Sequence, residues 1–129
     1  MTKTVEQYIH AILRDIDKRK TIDLGDKNSV RRYNAAMDRI CKNVKIVLDD
    51  FPSGFEKLAA LLDCPDTDVP RHLAPMLFIR DECPVELKRK IVALAKNWLD
   101  DPQIDSISKY HISFNIKQWE QELADNSDL

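Results

Sequence analysis

Apolar positions recur at three- and four-residue spacing through most of this 129-residue chain, and the pattern predicts helices. Val5, Tyr8, Ile9, Ile12, Leu13 and Ile16 form a one-sided stripe over residues 4–19, with Thr4 and Gln7 placed for a capping box. Residues 20–27 break the pattern, and Gly25 and Asp26 mark a turn. A longer stripe follows over residues 27–50: Val30, Tyr33, Met37, Ile40, Cys41, Val44, Val47 and Leu48. Asp26 is its expected N-cap, and Pro52 ends it by disfavouring the α region in the residue before it.

Three shorter segments come next. Ser53 and Glu56 have capping-box spacing and open a helix over residues 54–62. Asp68 is the expected cap of a helix over residues 69–79, with Pro70 in its first turn, where the missing N–H is harmless. Pro75 falls inside that helix, where proline costs about 3 kcal/mol, so a kink or break is expected at Ala74. Pro84 opens a helix over residues 85–99 with Leu87, Ile91, Leu94, Ala95 and Trp98 turned inward. Beyond Pro102 the pattern is mixed. Ile104, Ile107, Ile112, Phe114 and Ile116 combine periods of 2 and 3.6. One or two short helices ending over residues 117–124, with Trp119 and Leu123 packed down, are expected; a short strand near residues 110–114 is the alternative.

Composition narrows the class. Only two glycines occur, which argues against hairpin-rich β folds and removes glycine-rich phosphate loops. Hydrophobic residues make up 43% of the chain, enough for one core, so a single domain over residues 1–124 with a frayed acidic tail at 125–129 is expected. No apolar run approaches the ~18 residues of a membrane span. Three cysteines, an odd number, and no signal-peptide pattern among the first ten residues point to reduced thiols in the cytoplasm.

The stretch LLDCPDTDVPRHLAPML, residues 61–77, resembles a HEAT-type helical repeat. Leu61 and Leu62 match the paired leucines that end the first helix, and Asp63 and Asp66 sit in the turn. Val69 and Arg71 stand for the Val–Arg pair, displaced by Pro70, and Ala74 is the small residue. The match extends over residues 55–99, about one and a half repeats. The whole layout is similar to small bacterial α-helical proteins with a HEAT-like fold, through Arg32, Tyr33 and Asn34 and the segment ending at Trp119. The resemblance implies an all-α, single-domain α-α superhelix of five to seven helices. Short stacked helices make surfaces for partners rather than pockets for chemistry, so a protein-binding role is expected, and the size and build are similar by analogy to immunity partners of bacterial toxins.

Candidate chemistry is sparse. Cys64, His72 and Cys83 lack zinc-site spacing and read as two buried thiols and a surface histidine. Cys41, on the long stripe, reads as a core thiol. The pairs Asp15 with Asp17, Asp49–Asp50 and Asp100–Asp101 read as solvated, because neighbouring helical carboxylates diverge by about 100° and do not face one cleft. No catalytic residue, cofactor site or metal site is expected, and the chain reads as a non-enzyme.

Charge is unevenly placed. Residues 1–47 hold 11 basic and 6 acidic side chains; residues 48–129 hold 9 and 16. The contrast favours a charged partner, with Arg31, Arg39, Lys42 and Lys45 on one side and Asp49, Asp50, Asp100 and Asp101 on the other. A protein partner, such as a toxin, is the first expectation. Nucleic acid bound along the basic face of the first two helices is the alternative, weakened by Asp38 within that face and by a pI of about 5.9. Lys18, Arg19 and Lys20 read as an ordinary basic helix end. Trp98, Trp119, Phe78 and Phe114 are either core or partner anchors, and for the tryptophans core packing is favoured.

Overall fold

A computed structural model describes residues 3–127 of the chain, with side chains described through Asp125. Among these residues there are six α-helices and no strand: α1 Val5–Lys18, α2 Lys27–Asp50, α3 Gly54–Ala60, α4 Asp68–Phe78, α5 Val85–Leu99 and α6 Ser106–Ser127. Short 3-10 turns at Arg19–Thr21 and Leu61–Asp63 follow α1 and α3. The all-α class is as the periodicity predicts. The chain forms two compact units, one running to Leu77 and one from Phe78 onward.

In the first unit α1 packs along α2, and α3 folds against α2. The local signals hold at the first two helix starts. Thr4 accepts the Gln7 N–H at 3.2 Å while Gln7 Oε1 accepts the Thr4 N–H at 2.8 Å. Asp26 caps α2 by accepting the Asn28 N–H at 3.0 Å. Ile12, Ile16, Ile40, Val47 and Leu58 are fully buried. The passage from α2 to α3 is closed by Gly54. A Cβ on it would lie 1.9 Å from the Val47 carbonyl oxygen, so only glycine fits this approach of backbone to backbone.

Several expectations are corrected here. Ser53 forms no side-chain cap, because its backbone (φ −92°, ψ 4°) is outside the extended region an N-cap needs. The Gly54 N–H bonds the Phe51 carbonyl instead. Asp68 is the first residue of α4 rather than its cap; the Asp66 carboxylate accepts the Asp68 N–H at 3.1 Å. Pro75 does not break α4, which is continuous through Phe78. Leu73, Ala74, Leu77 and Phe78 are all buried around it. Each large apolar side chain contributes ~1.5–3 kcal/mol on full burial, which together outweigh the cost of the proline.

In the second unit α5 packs on α6. Phe78 stacks on Trp119 with ring centroids 4.9 Å apart and an interplanar angle of 24°. Trp98 and Trp119 are both buried, as favoured from sequence. Lys88 reaches Glu122 at 3.0 Å and Lys96 reaches Glu120 at 3.5 Å, so α5 offers cations to the carboxylates of α6. The expectation of short helices or a strand after Pro102 is corrected: one helix runs from Ser106 to Ser127, opened by Asp105, whose carboxylate accepts the Ser108 N–H. The expected frayed tail thus includes helical residues as far as Ser127, and its last two residues lie outside the described ones.

Candidate functional site

Of the basic residues on α2, Arg31, Lys42 and Lys45 are exposed and share one face, within about 60° of arc, with Asp38 among them. Arg39 is not part of that face. Its Nη2 donates to Asp15 Oδ1 at 2.9 Å and its Nε is 3.2 Å from both Asp15 oxygens. Asp15 is 3% exposed, so the reading of Asp15 as a solvated carboxylate is corrected. Lys18 stands 3.9 Å from the same carboxylate. A signal for this was present, since Asp15 falls one turn after Ile12 and two after Tyr8, within the apolar stripe.

This pairing organises the wall of a groove formed by the end of α1, the 3-10 turn after it and the first half of α2. The groove encloses about 480 Å³ and is lined by Lys18, Ile22, Ser29, Arg32, Tyr33 and Arg39, among others. Ser29 is 7% exposed, and its Oγ accepts the Asp23 N–H at 2.8 Å. The Arg19 guanidinium lies over the Tyr33 ring, 3.9 Å from its centroid. Arg19 Nε is buried without a hydrogen-bond partner among the described residues, as a guanidinium lying on a ring face can be.

Lys18, Arg19 and Lys20 are more than a basic helix end. Arg19 Nη1 lies 2.6 Å from His72 Nε2, and His72 Nδ1 lies 2.6 Å from the Asp68 carbonyl oxygen. A carbonyl only accepts and a guanidinium only donates, so the imidazole is neutral with its proton on Nδ1. His72 is therefore half-buried and engaged at both nitrogens, which corrects its reading as a surface residue. Burial pushes its pKa below the usual histidine value; the hydrogen bond to Asp68 opposes this, and the Arg19 charge adds to the lowering. Lys20 bonds Asp66 and stands 3.8 Å from Asp68. That bond holds the Asp66 carboxyl below the usual carboxylate range. The turn after α1 is thus clasped to the start of α4.

The acidic pairs have local roles in part. Asp101 Oδ1 accepts the Gln103 N–H at 2.9 Å, which closes the turn after α5 and accounts for a carboxylate at this helix end. Asp100 is the C-cap of α5 and is exposed, as are Asp49 and Asp50 at the end of α2. Cys41 is exposed rather than in the core: it lies about 100° around α2 from the centre of the buried set Ala36, Ile40, Val44 and Val47. Cys83 is buried, and burial pushes its thiol pKa up. Among the described residues no three His, Cys, Asp or Glu side chains gather as a metal site, and no helix is long and apolar enough to cross a membrane.

Phe114 is a candidate partner anchor from sequence; what sequence reasoning missed is that Ile107 and Tyr110 line up with it on the outer face of α6. Ile107 and Tyr110 are each 70% exposed and Phe114 is 53% exposed. Spaced three and four residues apart, they occupy about 60° of the helix circumference. Ile112, Ile116, Trp119 and Leu123 lie almost opposite, and Ile116 and Trp119 are buried. Two opposed apolar stripes on one helix produce no single 3.6-residue periodicity, which is why the segment reads as mixed. The signal available was the spacing of 107, 110 and 114 taken apart from the spacing of 112, 116, 119 and 123. No family model, curated protein or solved structure matches this chain.

Proposed function

We propose that this chain is a non-enzymatic protein-binding module that docks its partner through the outer face of α6. The observation that carries the reading is the stripe of Ile107, Tyr110 and Phe114, all exposed on one side of a helix whose other side is packed. Large apolar side chains in line on a rigid helix are what a partner buries, and aromatic residues are enriched at binding hot spots. Each such side chain contributes ~1.5–3 kcal/mol when covered. Nothing comparable supports an enzyme: both nitrogens of His72 are occupied by Arg19 and the Asp68 carbonyl.

The finer reading is a cytoplasmic, bacterial protein with HEAT-like helical pairing, acting as an adaptor or as an immunity protein that neutralises a toxin. It rests on the resemblance of residues 55–99 to a HEAT-type repeat and on the helix–turn–helix order of α3 and α4.

A photocrosslinking amino acid at position 110, compared with the same probe at position 42, tests the reading in the native cell extract. One stoichiometric protein adduct at 110, absent at 42 and lost with Phe114→Asp, is expected. Equal labelling at both positions, or none at 110, overturns it. A second reading, nucleic-acid binding, is favoured by the exposed cations Arg31, Lys42 and Lys45 on one face of α2. It requires salt-dependent binding to DNA or RNA that weakens in the Lys42→Ala, Lys45→Ala double variant.

A further inference from the structure

The groove in the first unit carries an inference independent of α6. We propose that it binds a small phosphomonoester, of about the size of a nucleoside monophosphate, with the phosphate held by Arg32 and Arg39. Four observations lead there.

The groove's volume of about 480 Å³ falls within the ~300–1,000 Å³ of small-molecule sites. Its lining holds three cations, Lys18, Arg32 and Arg39, against one adjoining carboxylate, Asp15. The balance is an uncompensated positive charge that favours a dianion.

Arg39 is positioned for this task. The buried Asp15 takes its Nε and one Nη2 proton, which fixes the guanidinium and leaves the Nη1 edge to donate. Arg32 lies seven residues, two turns, before Arg39 on the same face of α2. It makes no ion pair among the described residues. Two guanidinium forks suit the several oxygens of a phosphate better than a lone carboxylate.

Ser29 adds a donor. Its buried Oγ already accepts the Asp23 N–H, which leaves the hydroxyl proton to give. The remaining lining is Thr21 with Ile22, Tyr33 and Ala35, the last three giving it an apolar side. Tyr33 is held by Arg19 on one ring face, a firm wall for the organic part of the ligand. A bare inorganic phosphate would leave that wall uncovered, so an organic phosphate is favoured over it. The cations that would track a nucleic-acid backbone, Arg31, Lys42 and Lys45, lie about 90° around α2 from Arg32 and Arg39.

The test is isothermal titration of the full chain with adenosine monophosphate, inorganic phosphate and adenosine, at low ionic strength. Arg39 variants would leave the buried Asp15 without its hydrogen-bonded guanidinium, so the informative substitution is Arg32→Ala at an exposed position. Saturable binding of the monophosphate, weaker binding of inorganic phosphate and none of adenosine are expected. Arg32→Ala should weaken the monophosphate about tenfold or more, as loss of a charge-assisted pair does. The Lys42→Ala, Lys45→Ala variant should bind like the parent chain. The proposal is overturned by no saturable binding of either phosphate at up to about 10 mM, the weak end of measurable affinity. Binding unchanged by Arg32→Ala overturns it as well. So does binding lost only in the lysine variant, which would assign the phosphate to the other face of α2.

Discussion

The two long helices solve the same problem differently. In α2 one apolar stripe faces inward and the opposite side is charged or polar, with Arg31, Lys42 and Lys45 exposed. In α6 an inner stripe around Ile116 and Trp119 is packed, while a second stripe at Ile107, Tyr110 and Phe114 is left in solvent. Two helices of similar length therefore give opposite surfaces. A stripe on an element is evidence of burial only when its partner is known. A second stripe on the far side is surplus to the fold, and that surplus is the argument for a partner.

The sharpest way to break the comparison is to exchange the roles of the two faces of α6. Trp119→Ala removes a buried ring stacked on Phe78 and should lower the unfolding free energy by ~3–5 kcal/mol in chemical denaturation. A loss of under ~1 kcal/mol would mean that the inner face is not the packed one.

On the α2 side, Gly54→Ala forces a methyl group against the Val47 carbonyl, where backbone cannot give way cheaply. The expected loss is ~3 kcal/mol, the upper end of overpacking penalties, read from the same denaturation curves. An alanine tolerated there would show that α3 is not seated on the end of α2.

A smaller effect tests the clasp between the turn after α1 and α4. The folded state holds His72 neutral and below its ordinary pKa, so the unfolded chain takes up the proton first as pH falls. The contribution is fully present above about pH 6.5, the ordinary histidine value, and is lost as pH falls towards the lower folded value. Urea midpoints measured from pH 8 down to 5 should fall in this window, and His72→Gln should flatten the slope. A midpoint that rises on acidification would mean that the histidine is charged in the fold.

The smallest expected effect is the most telling for α6. Phe114→Ala should change stability by no more than ~0.5 kcal/mol, since its ring is over half exposed. Combined with loss of the crosslinked partner, that would separate the two faces by role. A large loss of stability instead would assign Phe114 to the fold.

What was legible in the sequence depended on how far the deciding interaction reached. Asp26 and the Thr4–Gln7 box act within one turn of a helix start, so the starts of α1 and α2 could be read from neighbouring residues. The start and end of α5 at Val85 and Leu99 were likewise marked by Pro84 and by the aspartates that follow. Asp15, His72 and Pro75 could not be read this way. Asp15 meets Arg39 across 24 residues and His72 meets Arg19 across 53, and Pro75 is tolerated because of what is buried around it. Cys41 was misplaced by a smaller cause: it lies at the edge of the α2 stripe, where 100° of rotation separates core from solvent.

Taken by itself, the sequence determined that the chain is helical and where α1, α2 and α5 begin, and it favoured inward packing of the tryptophans, because helix propensity, capping and one-sided periodicity are local. Tertiary structure alone decided which charges are free and which are tied. It placed Arg39 on a buried carboxylate, closed a groove around it, and left one side of α6 uncovered. The physical reason is that burial belongs to the space between elements, and the same apolar residue is core or contact surface according to what stands opposite it.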